Sequence, residues 1–222
     1  MKKNIIVIAI ALLAVASSAN AQFLKFGIKG GLTSSNVKFD KTTFDQVSTT
    51  SGAKDFIVTQ GDSKMGYQFG LFGRIKVLGI FIQPELLFSH SQGEVLIADI
   101  TANEIYKETQ KFNKVDIPVI VGWKIGPARL GIGPVASFML GEKDGLKDKL
   151  SELADQTTTS NFNKATFGYQ VGAGLDILGK ITLDVRYEGN LSKLGNGIKL
   201  GDENYSFDQR NPQWIFSVGI FF

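Results

Sequence analysis

The sequence of 222 residues predicts an all-β fold: an eight-stranded antiparallel, transmembrane up-and-down β-barrel with a short helix in the third external loop. Three observations predict this fold. Eight segments alternate apolar and polar residues with a period of two, and the connections between them are alternately short and long. The 25 glycines and 17 phenylalanines suit β-structure rather than a helical bundle.

The N-terminal residues have the order of a secretory signal peptide. Lys2 and Lys3 precede an apolar run over 5–15, and small residues follow up to Ala19 and Ala21. The apolar run is too short for a membrane-spanning helix, which needs roughly 20 residues. We therefore expect cleavage after Ala21, a signal peptide over 1–21 and a single barrel domain over 22–222.

The composition excludes several classes of site. The signal segment holds two of the 24 basic residues and none of the 21 acidic ones, so the remaining chain is close to neutral, unlike a general nucleic-acid binder. The chain has no cysteine and one histidine, which excludes disulfides, thiolate sites and a multi-histidine metal centre. We expect no cofactor, no metal and no catalytic residues.

Eight segments are the predicted strands, each long enough to cross a bilayer when tilted. The apolar side of each segment is predicted to face lipid and the opposite side to face the lumen. Aromatic residues at the ends of the apolar face, Tyr67, Trp123, Tyr187 and Trp214, suit the two interfacial girdles of a membrane barrel. The strands are 24–32, 65–76, 80–90, 112–125, 128–140, 166–178, 181–191 and 213–222.

The connections favour a membrane barrel over an exported soluble β-sandwich binding protein, which is the architectural alternative. Short turns are expected at 77–79, 126–127 and 179–180, and long polar loops at 33–64, 91–111, 141–165 and 192–212. Membrane barrels have short periplasmic turns and long external loops, whereas a sandwich has no reason to sort its loops in this way. Pro84, Pro118 and Pro134 fall inside predicted strands, so we expect each at a bulge or a locally open rung.

Charged residues alternate onto the predicted lumen side, where an unpaired charge would be costly. Glu85 and Arg186 lie at similar heights on opposite strands, and we expect them to meet across the lumen. Inward glycines would leave room for the long side chains. The network is interpreted either as a static plug or as a gate for protons or small ions. Its members are Arg74, Glu85, Asp116, Arg129, Asp184, Arg186 and Glu188.

Two further features carry weaker functional hypotheses. His90 follows Ser89, but alternation sends the two side chains to opposite faces, so a catalytic pair is not expected. In the third long loop, Asp144 can cap a short helix that carries Leu146 and Leu150 at helical spacing. This helix is interpreted either as a lid over the barrel mouth or as a contact surface for a partner.

The sequence resembles the PorT-like outer-membrane β-barrel proteins of the Bacteroidetes. The matching pieces are Phe26-Gly27-Ile28-Lys29-Gly30-Gly31-Leu32, Phe81-Ile82-Gln83-Pro84-Glu85-Leu86-Leu87-Phe88-Ser89, Val115-Asp116-Ile117-Pro118-Val119 and Arg186-Tyr187-Glu188-Gly189-Asn190-Leu191, together with the terminal Phe222.

The resemblance implies an eight-stranded barrel in the outer membrane of a Gram-negative bacterium. Its expected partners are outer-membrane lipid and the barrel-assembly machinery, whose signal resembles Phe216, Val218, Ile220 and Phe222. A surface or secretion-system protein is a further candidate partner. PorT is linked to type IX secretion, but most relatives have no assigned activity, and that role is not transferred. We expect a structural or surface-interaction protein that is not an enzyme, with a narrow or gated porin-like channel as the alternative.

Overall fold

The structure, a computed structural model, describes residues 23–35, 38–39, 42–49, 52–154, 158–200, 203–205 and 209–222. The predicted signal peptide, with its cleavage site at Ala19 and Ala21, lies outside these residues and stays a prediction. Among the described residues, none of the helical structure is long and apolar enough to cross a membrane.

The described residues form strands and one helix, which follow one another along the chain in a regular order. They are β1 Leu24–Ser35, β2 Lys38–Phe39, β3 Thr42–Thr49, β4 Gly52–Val77, β5 Ile80–Asp99, β6 Glu104–Ile125, β7 Ala128–Asp144, α1 Gly145–Ala154, β8 Thr158–Phe162, β9 Ala165–Ile177, β10 Ile181–Asn190, β11 Gly195–Leu200, β12 Glu203–Tyr205, β13 Gln209–Arg210 and β14 Gln213–Phe221.

Eight of these strands close into an antiparallel ring in the order β1, β4, β5, β6, β7, β9, β10 and β14. The ring closes because β1 pairs with both β14 and β4: Gly27 lies opposite Phe221 on one side and Phe72 on the other. The predicted eight-stranded barrel is therefore confirmed, and the sandwich alternative is wrong. Closure leaves none of the eight strands with an unpaired edge in the bilayer, where bare backbone groups would be costly.

The assignment of faces is also confirmed. Predicted lipid-facing residues such as Phe69, Leu71 and Phe216 are 52–56% exposed, whereas lumen-facing Gln83 and Glu85 are at most 3% exposed. A protein in water would not leave so continuous an apolar surface uncovered. The apolar faces of the eight barrel strands together form a lipid-facing belt.

Two of the short turns have the same backbone conformation. Leu78 and Gly79 have φ angles of 50° and 84°, and Leu178 and Gly179 have φ angles of 49° and 66°. Two consecutive residues with positive φ form the hairpin turn whose twist matches that of the flanking strands, and glycine takes its second position without strain. These turns join β4 to β5 and β9 to β10 at one end of the barrel, the end that the sequence analysis predicts to be periplasmic.

The predicted loops 33–64 and 91–111 are largely strand, which corrects the sequence-based boundaries. β4 begins at Gly52, and β5 and β6 continue to a turn over 100–103, far beyond the length needed to cross a bilayer. The alternation persists in these stretches, but outside the membrane the outward side chains need not be apolar. A prediction based on a lipid-facing stripe therefore truncated β4, β5 and β6 at the ends that lie away from the short turns.

The helix predicted in the third loop is present as α1. The Asp144 carboxylate accepts a hydrogen bond from the Lys147 backbone N–H at 3.3 Å, as expected of a capping residue. Leu146 and Leu150 are fully buried against Val95 and Ile97 of β5. Other members of this apolar cluster are Phe56, Val58 and Ala154.

The position of α1 fits the lid interpretation. Val95 and Ile97 are odd-numbered residues of β5, like the lumen-facing Glu85 and Ser89 lower on the same strand, and β5 pairs with β6 without a register shift. The helix therefore packs on the upward continuation of the lumen-facing side of the sheet. We call the extended β4–β5–β6 sheet together with α1 the cap.

The three strand prolines do not lie at bulges, and the expectation is met at Pro84 and Pro118 in its other form, a locally open rung. Cα partners are Pro84 with Val119, Pro118 with Val135 and Pro134 with Tyr169, and the register continues unchanged past each of them. Pairing is interrupted at 85–86 beside Pro84, which agrees with a locally open rung. A missing donor is tolerated here without the addition of a residue.

Candidate functional site

A central layer of charges fills the lumen at mid-height. The Lys29 ammonium lies 2.8 Å from Glu85 Oε1 and 3.0 Å from Asp184 Oδ2. Across the lumen, Arg186 Nη2 lies 2.9 Å from the same Glu85 oxygen and 3.4 Å from Asp184 Oδ2. The expected contact between Glu85 and Arg186 is thus present. Two cations and two carboxylates balance one another away from water, the condition under which buried charges are tolerated.

A lower layer lies closer to the short turns and centres on one carboxylate. Asp176 Oδ1 is 2.9 Å from Arg74 Nη1 and 3.0 Å from Arg129 Nε, and Asp176 Oδ2 also binds the Lys124 ammonium. Arg129 Nη2 reaches Asp184 Oδ1 at 3.0 Å, which joins the lower layer to the central one. Three cations share Asp176, so this layer carries an excess of positive charge.

An upper layer has the opposite imbalance. The Lys114 ammonium lies between two carboxylates, 3.7 Å from Asp116 Oδ1 and 3.8 Å from Glu188 Oε1. Glu188 accepts hydrogen bonds from the amides of Gln170 at 2.8 Å and Gln213 at 3.0 Å. Both Asp116 oxygens are buried without a hydrogen-bond partner among the described residues. The pairing in this layer is looser than in the layers below it.

Apolar and amide side chains close the lumen above the charges. Phe112 is fully buried and clusters with Leu194, and Phe162 meets the Phe112 ring edge-on at 5.5 Å between centroids. Gln110 Nε2 donates to Asp144 Oδ1 at 2.6 Å, and Gln209 Nε2 donates to Gln110 Oε1 at 2.7 Å. Among the described residues, the mouth at the end opposite the short turns is therefore filled by packed side chains beneath the cap.

Three phenylalanines of the lumen side were not predicted to face inward. Phe72, Phe81 and Phe221 are at most 9% exposed and pack around the Arg74 guanidinium, whose carbon lies 4.7 Å from the Phe221 ring centroid. Guanidinium groups are favoured over aromatic faces, so these rings hold Arg74 in place. Inward phenylalanines fill the lower lumen without adding charge.

An inward glycine makes room for the network, as the sequence suggested. A Cβ added at Gly174 would lie 2.5 Å from Asp184 Oδ1 and would also collide with Arg129 Nη2. The backbone at Gly174 therefore lies directly against the ion pair of Arg129 and Asp184. A side chain at this position would prevent that contact.

The sequence-predicted network residues all lie on the lumen side. Arg74, Glu85, Asp116, Arg129, Asp184, Arg186 and Glu188 are each no more than 5% exposed. Sequence reasoning missed Lys29 and Lys114, which are equally buried and supply essential partners. The signal was available, because Lys29 alternates with Ile28 and Gly30, and Lys114 has the parity of Asp116. Lys76, which alternation also places inward, is exposed at the rim of the barrel.

Two other sets of residues lie on the outside of the barrel. His90 points away from the buried Ser89, stacks on Tyr67 at 5.1 Å between centroids, and bonds through Nδ1 to Asn113 Oδ1 at 2.7 Å. Phe216, Val218, Ile220 and Phe222 are exposed on the lipid side of the C-terminal strand or at its end. Their assembly role stays a prediction.

Comparisons with known proteins find similar solved structures and a matching family model. The solved structures similar to the chain include three whose matches each cover 89% of it. Neisserial surface protein A has 11% sequence identity and a TM-score of 0.46, and the match covers 97% of its own chain. Ail of Yersinia pestis has 13% sequence identity and a TM-score of 0.42, and the match covers 98% of its chain. OprG of Pseudomonas aeruginosa has 10% identity and a TM-score of 0.49 over 95% of its chain. A search of curated proteins finds no match.

A family model described as the outer membrane protein beta-barrel domain matches residues 16–196, which is most of the chain. The closed ring, the lipid-facing belt and the polar lumen are the features expected of such a domain. This protein belongs to the outer membrane protein beta-barrel domain family.

Proposed function

We propose that this protein is a non-conducting barrel of the outer membrane that presents its cap as an interaction surface. The observation that carries the proposal is the filled lumen: three layers of charge lie beneath Phe112 and Leu194. Arg129 links the lower layer to the central one, and Gln170, which accepts from Arg186 and donates to Glu188, links the central layer to the upper one. An eight-stranded barrel has an interior that side chains can fill completely. On this proposal the network is a static plug.

Planar-bilayer recording tests the plug. We expect no steady conductance from the wild type or from Glu85→Ala, because Arg186, Lys29 and the packed mouth still obstruct the lumen. The exposed variant Glu152→Gln serves as the control for charge removal, and heat-modifiable gel mobility shows that each variant is folded. Conductance in the wild type would contradict the plug. Conductance only in Glu85→Ala would assign the network to a gate and favour the channel alternative.

The cap suits an interaction role because it has an apolar core of its own. Leu146 and Leu150 of α1 pack on the β4–β5 sheet, and the Lys149 ammonium lies 4.6 Å from the Tyr106 ring centroid. A packed support holds surface residues in a fixed arrangement, which lowers the entropy cost of binding. At the tip, Ile100 and Ile105 are 54% and 70% exposed and would supply apolar contacts.

Cysteine labelling in whole cells tests which end of the barrel is external. The chain has no native cysteine, so each introduced thiol is a clean reporter. Thr101→Cys in the cap turn should react with a membrane-impermeant maleimide in intact cells. Lys180→Cys, at a short turn, should react only after the outer membrane is permeabilised. The reverse pattern would overturn the assigned orientation and with it the interaction role.

The finer family placement and the partners are part of the same proposal. The PorT-like motifs support membership in that Bacteroidetes group, and the lipid-facing belt supports outer-membrane lipid as a partner. The barrel-assembly machinery would read the C-terminal residues around Phe222, and a surface or secretion-system protein would bind the cap. Mass spectrometry of the mature N-terminus should find Gln22 as the first residue, as expected if the signal peptide is removed.

A further inference from the structure

A cavity of about 240 Å³ occupies the lumen at the end with the short turns. The residues that matter for its chemistry are Lys25, Arg74, Lys76, Lys124, Asp176 and Phe221. Since a water molecule takes up roughly 30 Å³ in the liquid, the cavity has space for a small organic anion as well as for solvent.

The cavity wall is strongly positive. It carries four cationic side chains and one carboxylate, Asp176, and that carboxylate is already shared by Arg74, Lys124 and Arg129. The Lys25 ammonium donates to the Gly179 carbonyl at 3.0 Å, and in the described part of the chain Lys76 makes no ion pair. Cations that lack carboxylate partners in a cavity with low-dielectric walls attract an anion.

The cavity is blind at its inner end. Arg74 and Arg129, both no more than 5% exposed, lie above it, and the balanced layer around Glu85 follows. Further up, Lys114 faces two carboxylates, Asp116 and Glu188, so the excess charge changes sign along the lumen. An anion that enters from the short-turn end therefore meets attraction at the cavity and a closed, increasingly negative lumen beyond it.

The available donors select the kind of anion. The Arg74 guanidinium is occupied, because Nε donates to Gln83 at 2.5 Å, Nη1 to Asp176 at 2.9 Å and Nη2 to Thr182 at 3.3 Å. The donors that remain for a ligand are the ammonium groups of Lys25 and Lys76, which have no carboxylate partner among the described residues. An ammonium group acts as a point charge and does not form the planar fork that matches a carboxylate. Phe221 adds an apolar wall, with its ring centroid 5.4 Å from the Lys25 ammonium.

We propose that this cavity binds a phosphate monoester, either a free one or the terminal monoester of a lipid headgroup, presented from the periplasmic side. A doubly charged tetrahedral anion neutralises more of the excess charge than a carboxylate does. The apolar wall at Phe221 accommodates the organic part of the ester.

Titration of the protein in dodecyl maltoside and phosphate-free buffer tests the site, with phenyl phosphate as the probe and benzoate as its carboxylate counterpart. We expect saturable binding of phenyl phosphate with a dissociation constant below about 1 mM. The double variant Lys25→Gln/Lys76→Gln should bind about tenfold more weakly, since each lysine contributes a modest, partly solvated interaction. Lys180→Gln, a control at the same end of the barrel, should bind like the wild type.

Three results would overturn the proposal: no saturable binding, equal binding of benzoate and phenyl phosphate, or equal affinity of the double variant and the wild type. Both exchanged lysines are accessible at the rim, and heat-modifiable mobility verifies that the variants are folded. Nanodiscs distinguish the source of the phosphate. Loss of phenyl phosphate binding in discs that contain phosphatidic acid, with binding retained in discs of phosphatidylcholine alone, would identify the lipid headgroup, whereas binding retained in both would identify a free phosphate monoester.

Discussion

Replacement of Glu85 by glutamine should be one of the most damaging single changes in the barrel. The Glu85 carboxylate holds both Lys29, at 2.8 Å, and Arg186, at 2.9 Å, and it also accepts a hydrogen bond from Gln83 at 2.5 Å. In Glu85→Gln, two cations that are almost completely inaccessible to solvent would share only Asp184. Removal of one partner from a buried ion pair costs about 3–5 kcal/mol, and we expect a loss of unfolding free energy in this range.

Urea unfolding of the protein in lipid vesicles, followed by the loss of heat-modifiable mobility, measures this loss. Glu152→Gln is a matched control, because its carboxylate pairs with Lys149 at 2.9 Å but is 69% exposed, and its effect should stay within about 0.5 kcal/mol. The double variant Lys29→Met/Glu85→Gln restores the charge balance around Arg186. It should regain at least about 2 kcal/mol relative to the sum of the two single changes.

Equal effects of Glu85→Gln and Glu152→Gln would refute this reasoning. That result would mean that water reaches the central layer freely and that its ion pairs behave like surface pairs. A double variant that shows only additive losses would likewise contradict a direct interaction between Lys29 and Glu85.

Three further predictions address packing and titration. Gly174→Ala should lower the unfolding free energy by about 1–3 kcal/mol in the same urea assay, whereas Gly30→Ala, whose added Cβ meets nothing within 4 Å, should be neutral. Leu150→Ala, at a fully buried position of α1, should expose the cap to protease while the barrel keeps its heat-modifiable mobility. The hydrogen bond from the Tyr106 hydroxyl to Glu104, followed by burial, raises the pKa of Tyr106 from its ordinary value near 10 to about 12. The associated stability is therefore present below pH 10 and lost as the pH rises towards about 12, and Glu104→Gln should return the phenol titration, measured by ultraviolet difference spectra, towards 10.

The period-two pattern predicted the barrel because the bilayer imposes one strong rule on every spanning strand: apolar side chains face lipid. The rule identified the outward residues and, by exclusion, the inward charges such as Glu85 and Arg186. It gave no information on strand extent beyond the bilayer. In the structure β5 extends to Asp99 and β6 begins at Glu104. The outer part of this hairpin is therefore predicted from the sequence as loop.

The ion-pair partners within the lumen were harder to predict than the face of the sheet on which each side chain lies. The contact between Glu85 and Arg186 followed from height above the short turns, a one-dimensional measure. Lys29, however, lies in a glycine-rich motif and is not identified as a network residue from the sequence. It reaches Glu85 only because β1 closes the ring by pairing with β14 and β4. Pairing across a closed cylinder depends on stagger between strands, which the alternation of a single strand does not contain.

The distribution of charge along the lumen separates structural roles from binding roles. Around Glu85 the charges balance, which is required because no solvent or ligand can neutralise an excess there. Around Asp176, three cations share one carboxylate next to a cavity that solvent can enter, so the excess need not be neutralised by the protein itself. An excess of positive charge can therefore persist where the lumen borders an opening that solvent enters. In this lumen the phosphate cavity meets that condition, while the central layer, however polar, is suited to holding the barrel closed.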